Sequence, residues 1–351
     1  MQTTINKPIF IVGSPRSGTS VLTWCLNQHP NIFAVDESTG IGELALALSV
    51  CYETKMGLGP DSLWSNLNVQ KGEFFAAFGQ TINELIQRHK VDLERKGWEQ
   101  SFASSSSSQT FVEETAANFT KSRWVDGTPA YSFHICGLRK LFPDAAFIHI
   151  VRDVASVVRS MLNFDRLAGV KLVADEQEAY NLWLHSVSAC LLAEQAYGPE
   201  VVFRLRYCDL VNQPEASFQA LLGFLTEPYA PACMIPLRKR INSSDVPADF
   251  KLGQGGTDPS VIERAMELCK QIETTSQPSD ASGIALEKME ATFNAQTNHR
   301  AMVRSKYTKA HARAERLSNE VKLKTAAIHR LRARRWRHKL RQVVFGQDTA
   351  S

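Results

Sequence analysis

The sequence is short of several things, and each shortage closes off a class of protein. None of its apolar runs approaches the ~18 residues that a membrane-spanning helix requires. Its first residues, MQTTINKPIFIVG, lack a basic segment, a long apolar segment and a small-residue cleavage site, so no secretory leader is expected. The seven cysteines (Cys25, Cys51, Cys136, Cys190, Cys208, Cys233 and Cys269) are odd in number, and none are spaced as CxxC. That argues against a disulfide framework or a zinc site and for a reducing, cytoplasmic setting. Internal repeats are missing. Glycine and proline are absent between Phe293 and Phe345, so nothing there interrupts a helix. Acids are scarce in that same region: from Arg300 to Arg341, fifteen Lys/Arg face only Glu315 and Glu320, while the rest of the chain holds 25 bases and 34 acids. An acidic body therefore carries a strongly basic tail.

What is present reads as an α/β chain. Short apolar runs rich in β-branched residues predict strands at Ile9–Val12, Ile32–Val35, Arg123–Val125, Ala146–Val151 and Val201–Leu205. Between them lie helical patterns at Ser17–Asn27, Gly42–Cys51, Phe74–His89, Phe111–Thr120, Ser132–Leu141, Val154–Leu162, Glu176–Ala196 and Pro214–Leu225. Alternating strands and helices imply a three-layer α/β/α fold with a central parallel sheet, of the P-loop NTPase-like kind. SSSSSQ (Ser104–Gln109) reads as a linker, and Asn242–Pro259, rich in Gly, Pro and Ser, as a long surface loop. The expected organisation is a catalytic domain over 1–290, with a helical acceptor-side insert at 40–121, and a basic helical tail over 291–351. In the tail Val303, Tyr307, Ala310, Ala314, Leu317, Val321, Lys324, Ile328 and Leu331 recur at alternating spacings of four and three, a heptad seam interrupted by Lys324. A long C-terminal helix or coiled coil follows.

The chemistry begins at IFIVGSPRSGTS, residues 9–20. Gly13 and Gly18 have P-loop spacing between a strand and a helix, but Thr19 stands where GxxxxGK[ST] has its lysine, and Arg16 lies inside the loop. Free N–H groups at the helix start, helped by the helix dipole and by Ser17, Thr19 and Ser20, form a nest for a phosphate or sulfate. With no lysine and no convincing Walker-B strand, magnesium-dependent NTP hydrolysis is disfavoured.

PRSGTS (Pro15–Ser20) resembles the 5′-phosphosulfate loop of sulfotransferases that use 3′-phosphoadenosine-5′-phosphosulfate (PAPS). FIHIVRDVASVVRS (Phe147–Ser160) resembles that family's 3′-phosphate motif, in which an arginine at a strand end and a serine on the next helix hold the phosphate. The resemblance implies PAPS as donor, no metal, and a donor site made of Ser14, Pro15, Arg16, Ser17, Gly18, Thr19, Ser20, Arg152 and Ser160. WVDGTP (Trp124–Pro129) and RYCDLVNQPEASFQALLGFL (Arg206–Leu225) are similar to further family segments. RKRINSS (Arg238–Ser244) resembles the late basic loop that closes over the 3′-phosphate, which adds Arg238 and Arg240.

Sulfonyl transfer needs a base for the acceptor's proton and a cation for the charge growing on the leaving group. Arg16 is the candidate cation. Glu37 is the candidate base: HPNIFAVDEST places Asp36 and Glu37 after the second strand, and protein-tyrosine sulfotransferases carry a similar stretch whose glutamate serves as base. Asp36, His29 and His134 are the other candidates. Many relatives have a lysine in the DKTP-like turn where this chain has Gly127. The insert's aromatics, Tyr52, Trp64, Phe74, Phe75, Phe78, Trp98 and Phe102, suit either an acceptor site for a carbohydrate or glycolipid hydroxyl or a helical core. The tail's basic end, RLRARRWRHKLRQVVF, suits self-association or peripheral contact with an anionic membrane or polymer, with no nucleic-acid partner expected. Competing readings are a P-loop nucleotide kinase or NTPase and an inactive nucleotide-binding scaffold.

Overall fold

The structure is a computed structural model that describes residues 7–102, 121–238, 246–247, 249–253 and 256–345. Five short apolar runs form its strands: β1 Ile9–Val12, β2 Ile32–Ala34, β3 Arg123–Asp126, β4 Ala146–Val151 and β5 Val202–Arg206. They make one parallel sheet in the order β2-β3-β1-β4-β5. Every residue of β1 is fully buried, because helices cover both faces. The strand's two-residue period sorts its side chains. Phe10 and Val12 join Tyr52, Phe75, Trp124 and Tyr131 on one side; Ile9 and Ile11 join Leu22, Leu26, Ile150 and Phe218 on the other.

The helices are α1 Thr19–Asn27, α2 Gly40–Met56, α3 Leu63–Asn66, α4 Lys71–Phe102, α5 Ile135–Leu141, α6 Val154–Leu162, α7 Asp165–Ala168, α8 Glu176–Tyr197, α9 Tyr207–Asn212, α10 Pro214–Leu225, α11 Pro259–Thr274 and α12 Gly283–Phe345. Three differ from expectation for local reasons. α1 starts at Thr19, not Ser17, because Gly18 has φ +107° and cannot be helical. The helix expected over Ser132–Leu141 divides into a 3-10 turn, Pro129–Phe133, and α5, with His134 at φ −121° between them. α11 was not anticipated, although Asp258-Pro259 is a helix-start signal: the Asp258 carboxylate accepts from Ser260 N at 2.9 Å. The helix expected at Phe111–Thr120 and the serine linker lie outside the described residues, as does much of the loop at 242–259.

The chain divides into two compact units, Met1–Thr297 and Asn298–Ser351. In the first, α12 contributes Ala285, Met289 and Phe293 to the core. In the second, the same helix exposes Val303, Tyr307, Leu317, Val321, Ile328, Leu331, Trp336 and Leu340. Among the described residues no helix is long and apolar enough to cross a membrane. The seven cysteines are free thiols, with only Cys51 and Cys208 exposed.

Candidate active site

The connection leaving β1 runs towards β2, and the one leaving β4 runs towards β5. The order of the sheet therefore switches between β1 and β4, and a crevice opens at their C-terminal ends. The loop 13–18 and Arg152 sit at those two ends. The loop is pinned from below by Ser132: Gly13 N donates to Ser132 Oγ at 2.9 Å, and that hydroxyl lies 2.9 Å from Gly13 O. Ser17 N closes a turn onto Ser14 O at 3.1 Å. At Gly18 a Cβ would stand 2.7 Å from the Tyr207 ring, so only glycine allows the loop to approach this closely. No side chain caps α1, which leaves its first N–H groups directed at the crevice. Ser17 Oγ is buried and has no hydrogen-bond partner among the described residues. An open buried hydroxyl beside an uncapped helix start fits an anionic phosphate or sulfate group.

Arg16 joins the two sequence motifs. It adopts φ +69°, a left-handed conformation that costs a non-glycine residue about 1–3 kcal/mol. Its Nε donates to Ser160 Oγ at 3.1 Å, across 144 residues, while its carbonyl accepts from Arg152 Nη1 at 3.2 Å. The guanidinium of Arg16 lies over the Phe164 ring at 5.0 Å, and that of Arg152 over Tyr207 at 4.6 Å. Both cations are thus held in place by flat apolar supports. Burial, then the positive charge of Arg152, lower the Arg16 pKa from its ordinary value; Glu37 opposes both. Two facing arginines are a configuration that an anion relieves. Asp153, the neighbour with which Arg152 might have paired, caps α6 instead, accepting from Ser156 N at 2.8 Å.

Glu37 closes the other side. The Ser20 hydroxyl, from the first turn of α1, donates to Glu37 Oε1 at 3.1 Å. The carboxylate is exposed at the crevice, yet the protein packed along its flank raises its pKa, against the Ser20 bond and the Arg16 charge. Ser20 bonds Glu37 and not its neighbour Asp36. His29 is fully buried, with Nδ1 accepting from Asn31 N and Nε2 bonded to Pro228 O, a packing role. His134 packs against Gly42 of α2.

Of the two readings open to the insert's aromatics, the described rings take the second. The insert's Tyr52, Phe74 and Phe75 are core residues, buried with Trp124 and Tyr131, and Trp64 packs onto them; they do not offer a stacking face to an acceptor. Phe78 is the exposed ring among these. Trp98 and Phe102 belong to the part of α4 whose side chains lie outside the described residues. Gly127, in the DGTP turn, has a steric reason to lack a side chain. It is buried, and a Cβ there would lie 2.0 Å from Thr23 Oγ1, so α1 occupies the space a lysine would need. Arg238 ends the 3-10 segment Pro231–Arg238 with an exposed side chain, and Arg240 lies outside the described residues. Sequence reading missed Ser132, Phe164, Tyr207 and the supporting pair Asp126 and Thr128. Among the described residues no cluster of His, Cys, Asp and Glu is arranged to hold a metal ion.

A putative protein-tyrosine sulfotransferase of Caenorhabditis briggsae is 22% identical over 230 residues, 66% of this chain and 69% of that protein. Protein-tyrosine sulfotransferase 1 of Danio rerio is 24% identical over 232 residues, 64% of this chain; the match spans about half, 55%, of that relative's length. Among solved structures, a sulfotransferase from Mycobacterium tuberculosis H37Rv has a TM-score of 0.42 and 15% identity, covering 75% of this chain and 77% of that one. The profile of the sulfotransferase family matches residues 8–231, which takes in the nest, Glu37, Arg152 and Ser160. With well over half of its length matched, the chain belongs to the sulfotransferase family and is a sulfotransferase enzyme.

Proposed function

We infer that the donor is PAPS, that Arg16 and Glu37 carry the reaction, and that the acceptor is a hydroxyl compound. The observation that carries this reading is the Arg16 bridge: one guanidinium spans from the anion nest to Ser160, while Arg152 holds the same residue's carbonyl. Ser14, Pro15, Ser17, Gly18, Thr19, Ser20 and the α1 start would hold the phosphosulfate end; Arg152 and Ser160, with Arg238 and Arg240 from the basic loop, would hold the 3′-phosphate. When bound, the donor supplies the sulfonate on a phosphate leaving group. Glu37 takes the acceptor's proton onto its carboxylate, and the Ser20 hydroxyl keeps that carboxylate turned to the α1 start. Arg16 offsets negative charge at the loop from a partly desolvated position, where it acts more strongly than in water. Gly127 brings no second cation, so Arg16 bears more of this task than in relatives with a lysine there.

A carbohydrate or glycolipid acceptor finds less support, since Tyr52, Phe74 and Phe75 are core and Trp64 packs onto them. A tyrosyl hydroxyl, the group named in the two curated relatives, becomes the first acceptor to try. The test is transfer from PAPS to an acidic tyrosyl peptide and, in parallel, to a simple glycoside. Glu37→Gln should bind adenosine 3′,5′-bisphosphate like the parent and lose transfer by about 100-fold or more, the weight of a general base. Full activity of Glu37→Gln would remove the base from this account.

For the tail we favour contact with an anionic lipid surface at the cytoplasmic face of a membrane over self-association. The positions flanking the heptad seam are Arg304, Lys306, Arg313, Arg332 and Arg334, with Glu320 alone opposing them, so two copies would set like charges side by side. Glu320 is itself paired with Lys324 at 2.6 Å.

A further inference from the structure

Glu37 sits in an exposed segment: residues 36–40 are all exposed, and a base held by one hydroxyl on such a segment would wander. A second tether runs in from the sheet. Asp126 ends β3, which is paired on both sides by β1 and β2, and its carboxylate is fully buried. Asp126 Oδ1 accepts from Thr128 N at 2.9 Å and from Thr128 Oγ1 at 2.6 Å. Thr128 Oγ1 in turn accepts from the backbone N–H of Ser38 at 2.7 Å. The hydroxyl has one proton and two acceptors in range, Asp126 Oδ1 at 2.6 Å and Ser38 O at 3.3 Å; the shorter bond takes it. A rigid strand end, a buried carboxylate, a buried hydroxyl and the amide next to the base thus form one line.

We propose that Thr128, oriented by Asp126, is a positioning residue for Glu37: it fixes the backbone at Ser38 and so aims the base into the crevice. This rests on Glu37 being the base. Thr128 touches neither donor nor acceptor in this scheme. Its removal should lower turnover and leave donor affinity alone.

The experiment compares Thr128→Val, nearly the same shape without the hydroxyl, with Thr128→Ser, which restores it. Three readouts are taken: release of adenosine 3′,5′-bisphosphate from PAPS with an acidic tyrosyl peptide present, calorimetric affinity for the bisphosphate, and hydrogen exchange of the Ser38 amide. Thr128→Val should exchange the Ser38 amide about tenfold faster or more, since its acceptor is gone. It should lose about tenfold or more in kcat, with bisphosphate affinity held within about twofold. Thr128→Ser should recover both exchange protection and kcat. Wild-type transfer by Thr128→Val, in an enzyme that Glu37→Gln inactivates, would overturn the proposal and leave the base assignment standing. An active Glu37→Gln would instead remove the base and the proposal together. If Thr128→Val loses bisphosphate affinity in step with kcat, or if it and Thr128→Ala both fail to fold, Thr128 is a structural residue and the proposal falls.

Discussion

A Cβ at Gly127 would clash with Thr23 Oγ1 at 2.0 Å and crowd Thr23 Cβ at 3.3 Å. Gly127→Lys, which writes the family's usual lysine back into the DGTP turn, should therefore destabilise the fold by about 1–3 kcal/mol without raising transfer. Urea melts check this, and Thr23→Ala should recover part of the loss in the double variant because it removes the atom in the way. Glu37 gives a second prediction at this scale. Enclosure by neighbouring protein raises its pKa above the ordinary 4.5, and a base works deprotonated. Transfer should then rise with pH along an acidic limb whose midpoint lies above 4.5. Arg16→Ala, which removes a charge that lowers this pKa, should move the limb further up. The pH profile of kcat measures both, and a limb at or below 4.5 would contradict them. Arg16 and Glu37 were legible in the sequence because each lies inside a short local pattern. The contacts of Ser132, Phe164 and Tyr207 were not, because each reaches the loop across more than a hundred residues; Tyr207 lies in the RYCDL segment, but nothing local shows its ring packing on Gly18 and Arg152. The aromatic insert left two readings open for a related reason: ring density is the same whether rings line a site or fill a core.

The elements carry one electrostatic device outside the crevice. His149 of β4 bonds Glu194 of α8 through Nδ1 at 2.6 Å, and Arg204 of β5 grips the same carboxylate with Nε at 3.0 Å and with Nη2. Burial acts to lower the His149 pKa, but Cys190 and the Glu194 carboxylate outweigh it and hold the imidazole up at about 9. Burial acts to raise Glu194, and the two cations outweigh that and lower it. The signs define a window. The histidine's contribution to stability is complete below its unfolded value of 6.5 and disappears as pH rises through 9. The carboxylate's contribution is present above its unfolded 4.5 and disappears as pH falls through the lowered value. Thermal melts should peak between 4.5 and 6.5 in this contribution and decline from 6.5 to 9, and His149→Gln should flatten the alkaline decline. Glu194→Ala, leaving buried cations unpaired, should cost about 3–5 kcal/mol. At this scale the five strands were legible to within a residue or so, since continuous apolar runs are what a sheet buried on both faces demands. Helix ends were less so: α1 and α5 are cut by backbone angles at Gly18 and His134 that composition does not reveal.

For the whole molecule, the charge imbalance between body and tail is the property to test. The full chain should bind vesicles containing anionic lipid, ignore neutral ones, and release as salt rises, because exposed charges are screened beyond about 10 Å at 0.1 M. Removal of residues 298–351 should abolish the binding, read by vesicle co-sedimentation, and leave the oligomeric state by light scattering unchanged. A drop in oligomer size with no change in vesicle binding would favour the heptad seam as a pairing surface.

Under the proposed function, a P-loop without its lysine, coupled through Arg16 to Arg152 and Ser160, is a PAPS site. The decisive measurement is calorimetric titration of the full chain with adenosine 3′,5′-bisphosphate, set against ATP with Mg²⁺. Clear preference for the bisphosphate is expected, with a loss of about tenfold or more in its affinity on Arg152→Ala, the scale of one charge-assisted contact to a phosphate. Preference for ATP with Mg²⁺, or bisphosphate binding unchanged by Arg152→Ala, would contradict it.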